Sequence, residues 1–188
     1  MRIATARLVL VAASPHIARA EADRVPGWWQ PLQVTAPSAW PPPLNDAGSL
    51  RWFASAIEAD PDGLGWYSWY VTETSSGGSL VGNAGFLGRP DARGSVEIGY
   101  SLLPAFHRRG YGTELVGGLV GWAFGHDRVQ RVMAETYPEL VASVRVLEKN
   151  GFSLVSRAAR PGAIRFELRR AVFEARHSRT SASPDSPD

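Results

Sequence analysis

Apolar and polar positions follow two rhythms along this chain. Residues 7–12 form a short apolar run that reads as a strand, and Ser14 with Pro15 behind it gives the N-cap and first turn of a helix running to about Arg24. Residues 25–48 carry Pro26, Pro31, Pro37 and Pro41 to Pro43 among Trp28, Trp29 and Trp40, which argues against a regular element there. The three tryptophans read as core or lid packing beneath a proline-rich loop. Gly48 and Ser49 then open a second helix with Leu50, Phe53, Ala54 and Ile57 on one face, stopped by Pro61-Asp62-Gly63.

The middle of the chain changes to period two. Residues 66–73, 80–87 and 95–103 read as three successive strands, with turns at Ser75-Ser76-Gly77-Gly78 and at residues 91–94, and so as an antiparallel meander. Pro104 ends the third strand. A helix from the Gly110 region to about Phe124 carries a stripe of Leu115, Val116, Leu119, Val120 and Ala123, and close packing on the sheet is the expected reason for its Gly117, Gly118 and Gly121. A strand at 129–136, a helix at 139–150 stopped by Gly151, and strands beginning at Phe152 and at 164–168 complete the pattern. This order predicts an α+β domain with a mixed sheet, in which the unit from 95 to 136 is a parallel strand-helix-strand crossover. Residues 173–188 have the composition of a disordered tail.

Composition narrows the chemistry. A chain of 188 residues, 44% hydrophobic, suffices for one domain that buries about two-thirds of its unfolded surface. No window reaches membrane-spanning length, and a cytoplasmic protein is expected. The absence of cysteine excludes disulfides, thiolate metal sites and a covalent acyl-cysteine intermediate. His16, His107, His126 and His177 lack metal-ligand spacing, so no metal is expected, and no Gly-x-Ser-x-Gly elbow is present. The basic residues thicken between Arg157 and Arg179, but the net charge is only +2, and a solvated face accounts for them better than nucleic acid does.

The most informative stretch lies between the third meander strand and the helix after it. Gly110 and Gly112 uncover backbone amides at a helix N-terminus, where they can face an anion without a Cβ in the way. The dinucleotide fingerprint needs a third glycine where Leu115 stands, and a Walker loop needs Gly-Lys-Ser/Thr, which is absent.

Three linked segments carry a family resemblance: Glu97-Ile98-Gly99-Tyr100 through Pro104, His107-Arg108-Arg109-Gly110-Tyr111-Gly112, and Ser143 through Phe152. Together they resemble the GNAT (GCN5-related) N-acetyltransferases, in particular the RimJ/RimL-type ribosomal-protein N-terminal branch. The resemblance implies a GNAT fold, a mixed, mostly antiparallel central sheet of about seven strands flanked by helices, with residues 1–172 as one domain. It implies acetyl-CoA as cosubstrate, its pyrophosphate on the amides of Arg108, Arg109, Gly110, Tyr111, Gly112 and Thr113. Ser101, Leu102 and Leu103 would pair with the pantetheine arm like an added strand, and the oxyanion formed when an amine attacks the thioester would be met by a strand-end N–H, that of Leu102.

It also implies transfer by direct attack in a ternary complex, with a protein N-terminus or a small-molecule primary amine as acceptor. Glu97 and Glu135 are both candidates for the base that deprotonates the amine. Ser143 is the candidate acid for the thiolate, with Tyr137 a weaker substitute. Leu147 stands where many relatives have a tyrosine, Leu140 where an asparagine is usual, and His107 where arginine or glutamine is usual. These departures leave room for an alternative, a non-catalytic acyl-CoA-binding module on the same fold. Acceptor identity and homodimer formation stay open.

Overall fold

The computed structural model describes residues 1–35, 39–74, 78–158 and 160–181. Pro37 and the Ser75-Ser76-Gly77 part of the expected hairpin turn lie outside the described residues. Eight strands form one sheet: β1 (Arg2–Ala4), β2 (Leu8–Ala12), β3 (Ser68–Glu73), β4 (Leu80–Phe86), β5 (Ser95–Leu102), β6 (Arg131–Thr136), β7 (Ser153–Arg157) and β8 (Ile164–Arg169), in the spatial order β1-β2-β3-β4-β5-β6-β8-β7. The expected count of about seven is one short because β1 has only three residues and no alternation long enough to read. Every pairing is antiparallel except β5 with β6, which is parallel as the crossover pattern requires.

Five helices flank the sheet: α1 (Pro15–Ala22), α2 (Ala47–Ala59), α3 (Tyr111–Phe124), α4 (Val141–Lys149) and α5 (Arg170–Ser181). Ser14 caps α1, its hydroxyl accepting from the Ile17 N–H. The second helix begins earlier than Gly48-Ser49. Asp46 is its N-cap, in a reciprocal box in which Ser49 N–H donates to the Asp46 carboxylate and Asp46 N–H donates to the Ser49 hydroxyl. The tail expected from residue 173 is helical through Ser181, as the last part of α5. Its low apolar content hides a helix that docks through Phe173 on Phe124 and through Arg170 on the carbonyls of Phe124, His126 and Val129.

The two faces of the sheet bury different cores. On one, the α3 stripe of Leu115, Val116, Leu119 and Val120 packs with Leu147 of α4 against Leu10, Val71, Val96, Ile98 and Val132. On the other, α1, α2 and the proline-rich segment close over Tyr70 and Leu80. The tryptophan reading holds here: Trp28 is buried, its ring 5.3 Å from that of Tyr70, and Trp29 and Trp40 pack against the same cluster. Buried Glu21 accepts from the Tyr70 hydroxyl and the Trp40 indole N–H, both at 2.6 Å. Close packing explains two of the α3 glycines, since a Cβ on Gly117 or Gly118 would come within 3.1 Å of Asn150 or 3.0 Å of Thr5. Nothing in the structure explains Gly121.

Candidate active site

The site forms where β5 and β6, the parallel strand pair of the sheet, come apart. The ladder between β5 and β6 ends at Ile98 opposite Ala134, while β5 continues to Leu102. On the other edge β5 stays paired with β4 as far as Leu102 opposite Gly82. Leu87 N–H donates to the Glu97 carbonyl and Leu103 N–H to the Val81 carbonyl, so the odd-numbered residues of β5 turn their backbone groups toward β4. By alternation, the N–H groups of Tyr100 and Leu102 face the gap that β6 has left.

The three residues expected beside the pantetheine arm differ in where their backbone groups point. Leu102 presents its N–H to the gap, as expected for an added strand or an oxyanion donor. Leu103 does not, since its N–H is bonded to Val81 at 2.9 Å. Ser101 sits in register with Asn83 on the β4 side, and its hydroxyl donates to the Pro43 carbonyl at 2.6 Å. The Leu102 carbonyl is held by His107, whose Nε2 lies 2.9 Å away. A carbonyl only accepts, so that nitrogen carries the hydrogen. The histidine that departs from the usual residue thus anchors the strand end beside the loop.

Next to the gap lies the glycine loop. Arg108 (φ 60°) and Gly110 (φ 81°) both adopt the left-handed region, which swings the chain into α3 with Gly110 as a cap that offers no side-chain acceptor. The first intrahelical bond runs from Glu114 N–H to the Gly110 carbonyl. The N–H groups of Tyr111, Gly112 and Thr113 are therefore uncapped at the positive end of a 14-residue helix. A cradle of this kind fits a pyrophosphate, and Gly112 keeps it low: a Cβ there would meet Val146 at 3.1 Å. Asn150 ties α4 to the same turn by donating to the Thr113 carbonyl at 3.2 Å.

Arg7, at the start of β2, locks this loop from outside and has no counterpart among the residues singled out by sequence. Its Nη1 donates to the Arg109 carbonyl at 2.9 Å, and its Nε and backbone N–H donate to the Glu114 carboxylate at 2.8 and 2.6 Å. Thr5 donates to the same carboxylate at 2.7 Å. Burial works to raise the Glu114 carboxyl, but these bonds outweigh it and hold the group below its ordinary range. Tyr111 lies beneath the Arg7 guanidinium and donates to Glu73 at 2.7 Å. Arg7→Ala is expected to loosen this loop and weaken the binding of a pyrophosphate group there about ten-fold, the scale of a charge-assisted contact partly screened by solvent. Titration of the variant and the wild type with coenzyme A, which carries that group, checks it.

Behind the sheet, on the α2 side, a cleft of about 440 Å³ brings both candidate carboxylates to one surface. The register Glu97 opposite Met133 places Glu135, two residues on, on the same face. Their states differ. Glu135 is nearly buried and fully engaged, taking Arg165 Nη2 at 2.5 Å and Arg160 Nε at 3.1 Å. Burial pushes its carboxyl up, but the two arginines outweigh that and hold it below the ordinary range. The Glu97 side chain has no hydrogen-bond or ion-pair partner among the described residues. Its half-burial, and then the Glu135 charge, push its carboxyl up, against a smaller opposing pull from Arg160 and Arg165. The two carboxylates thus differ: Glu135 is paired with two arginines, and the Glu97 side chain faces the cleft without one.

Ser143, in the first turn of α4, lies on the core side of the gap. The Tyr100 hydroxyl is 3.0 Å from its Oγ and donates to its carbonyl at 3.2 Å. Burial pushes the Tyr100 phenol up to about 12, with the Ser143 contact pulling slightly the other way. Tyr100 is thus a hydroxyl at the gap that the sequence reading passed over, although it lies within the Glu97-Ile98-Gly99-Tyr100 motif. Leu147 is fully buried in the core and Leu140 offers no polar atom at the α4 N-cap. Within the basic stretch near the C-terminus, Arg165 pairs with Glu135, Arg169 with Glu167, and Arg170 with three carbonyls.

Fold and site together define an α+β protein with uncapped amides at a strand-helix junction, a gap in the adjoining sheet and a carboxylate-lined cleft. The sequence profile of the acetyltransferase (GNAT) domain matches residues 7–153, and the chain belongs to that family.

The chain is 35% identical over 111 residues to the Bacillus subtilis (strain 168) protein named uncharacterized N-acetyltransferase YjdG, an alignment covering 59% of this chain and 66% of that one, just under two-thirds of its length. Among solved structures, the fold is similar to that of RimL, a ribosomal L7/L12 alpha-N-protein acetyltransferase in complex with coenzyme A (TM-score 0.63, 18% identity, 90% of this chain and 98% of that one). It is similar also to the aminoglycoside acetyltransferase AAC(6')-Ib with coenzyme A (TM-score 0.64, 16% identity, 90% and 99%). No helix among the described residues is long and apolar enough to cross a membrane.

Proposed function

We propose that this protein transfers an acetyl group from acetyl-CoA to a primary amine, by direct attack within a ternary complex. The carrying observation is that the uncapped α3 amides and the Leu102 N–H flank the gap between β5 and β6, while the unpartnered Glu97 side chain of the same strand lines the cleft on the α2 side. Acetyl-CoA, when bound, supplies the electrophilic thioester carbonyl. The α3 amides and the loop from Arg108 to Thr113 hold its pyrophosphate, and the Leu102 N–H faces the oxygen on which negative charge develops. Glu97, directly or through a water, takes the proton from the acceptor ammonium, so that the neutral amine can attack as the carbon-sulfur bond breaks. Ser143 or its neighbour Tyr100 returns a proton to the departing sulfur. Both acceptor classes, a protein N-terminus and a small-molecule amine, are compatible with the cleft.

Purified protein should bind coenzyme A and release free thiol from acetyl-CoA when given an acceptor amine. Lack of both across peptides, simple amines and amino acids would sink the proposal. A second reading, a non-catalytic acyl-CoA-binding module, draws on buried Leu147 and apolar Leu140 at positions where relatives carry polar groups. It expects binding without turnover, unaltered in Glu97→Gln.

A further inference from the structure

We infer that the acceptor is a singly charged amine with an apolar group next to the nitrogen, rather than a polyamine or aminoglycoside. This rests on the transferase reading above and concerns the part of the cleft that reading leaves unspecified. The first observation is charge. The described residues of the cleft lining include two carboxylates, Glu97 and Glu135, and one guanidinium, Arg160. Both oxygens of Glu135 are already taken by Arg160 and Arg165, so one carboxylate is left for an ammonium. A polycation needs several anions spaced along its length. Here its second ammonium would meet Arg160, whose side chain is 59% exposed.

The second observation is an apolar rim built at a cost. Leu44 is 81% exposed and sits at φ 68°, a region that a branched L-residue rarely occupies without support. The support is visible. Ser101 holds the Pro43 carbonyl, and Asn83 donates to the Asn45 side chain at 3.1 Å, so strands β4 and β5 pin the segment on both sides of Leu44. The pinned loop turns an isobutyl group into the cleft mouth instead of the core. Leu87, 51% exposed, and Phe53 of α2 line the same cleft. Apolar groups lining the same cleft as one free carboxylate match an ammonium flanked by hydrocarbon. A free aralkylamine and a peptide with an apolar N-terminal residue share that chemistry.

The test compares kcat/KM for thiol release by the full chain across matched acceptors. These are phenylethylamine against ethanolamine, Leu-Gly-Gly-Gly against Asp-Gly-Gly-Gly, and spermidine and kanamycin as polycations. The apolar member of each pair should exceed its polar partner at least about ten-fold, the scale that one or two methylenes in a pocket supply, and should exceed both polycations. Which pair shows the larger preference distinguishes a small-molecule from a peptide source. Leu44→Ser should shrink the preference to within about two-fold, through KM, with coenzyme A affinity retained as the check on folding. A polycation preferred over both apolar acceptors, no apolar preference, or a preference untouched by Leu44→Ser overturns this inference and leaves the transferase reading standing. Bound coenzyme A with no thiol from any acceptor overturns the transferase reading and this one with it.

Discussion

Glu97→Gln is expected to lower kcat by about 10²–10⁴-fold, the usual contribution of a positioned general base, without loss of thermal stability. The side chain lines the acceptor cleft, has no protein partner among the described residues, and is pushed toward its protonated form by half-burial and the Glu135 charge. In the wild type, kcat/KM should rise with pH through a carboxyl titration displaced above the ordinary range, and that limb should vanish in the variant. The stability sign runs the same way. A carboxyl whose pKa is raised by folding favours the fold while protonated, and that contribution is lost as pH rises through the folded-state value. Glutamine never ionises, so the variant should match the wild type in mild acid and equal or exceed its Tm at neutral pH. Glu135→Gln is the counterpart: it leaves Arg165 and Arg160 without their anion and should lower Tm more than Glu97→Gln while lowering kcat less. Equal kcat losses in the two variants would show that the ion-paired carboxylate also handles the proton.

Gly82→Ala is expected to weaken coenzyme A binding by at least ten-fold, although Gly82 lies on β4, one strand away from the gap. A Cβ there would come within 2.3 Å of the Ser101 carbonyl oxygen and 2.9 Å of the Leu102 Cα. Neither is the far end of a flexible side chain, so β5 must move where it presents the Leu102 N–H. Overpacking of this kind costs about 1–3 kcal/mol, which a modest fall in Tm should register alongside the binding loss. Isothermal titration with coenzyme A and thermal unfolding on the same preparation separate the two effects. Unchanged affinity would mean that Leu102 does not contribute to the cofactor site.

The parts of this picture that could be read from the chain are those set by local chemistry. Gly110 and Gly112 between an apolar strand and an apolar-striped helix mark an anion cradle because backbone conformation and helix polarity are properties of neighbours in sequence. The meander and the parallel crossover follow from periodicity and loop length in the same way. What could not be read depends on partners far along the chain. Glu135 looked equivalent to Glu97 until Arg160 and Arg165, 25 and 30 residues later, were seen to occupy it. Arg7 is 107 residues from Glu114, and Tyr100 is 43 from Ser143, so neither spacing carries a signal. Which of the β5 backbone groups at Ser101, Leu102 and Leu103 face the gap depends on the register with β4, which the sequence does not carry. The first part of the tail was misread because α5 gains its order from docking, through Arg170 and Phe173, and not from an apolar stripe.

The separation of the two cores by the sheet has an evolutionary reading. The amides, the Leu102 N–H and Ser143 belong to the face packed by α3 and α4, whereas Leu44, Phe53 and the carboxylates belong to the face closed by α1, α2 and the proline-rich segment. Substitutions that re-shape the acceptor side can therefore accumulate without disturbing the donor side, and a lineage can change what it acetylates while inheriting intact the apparatus that carries the acetyl group.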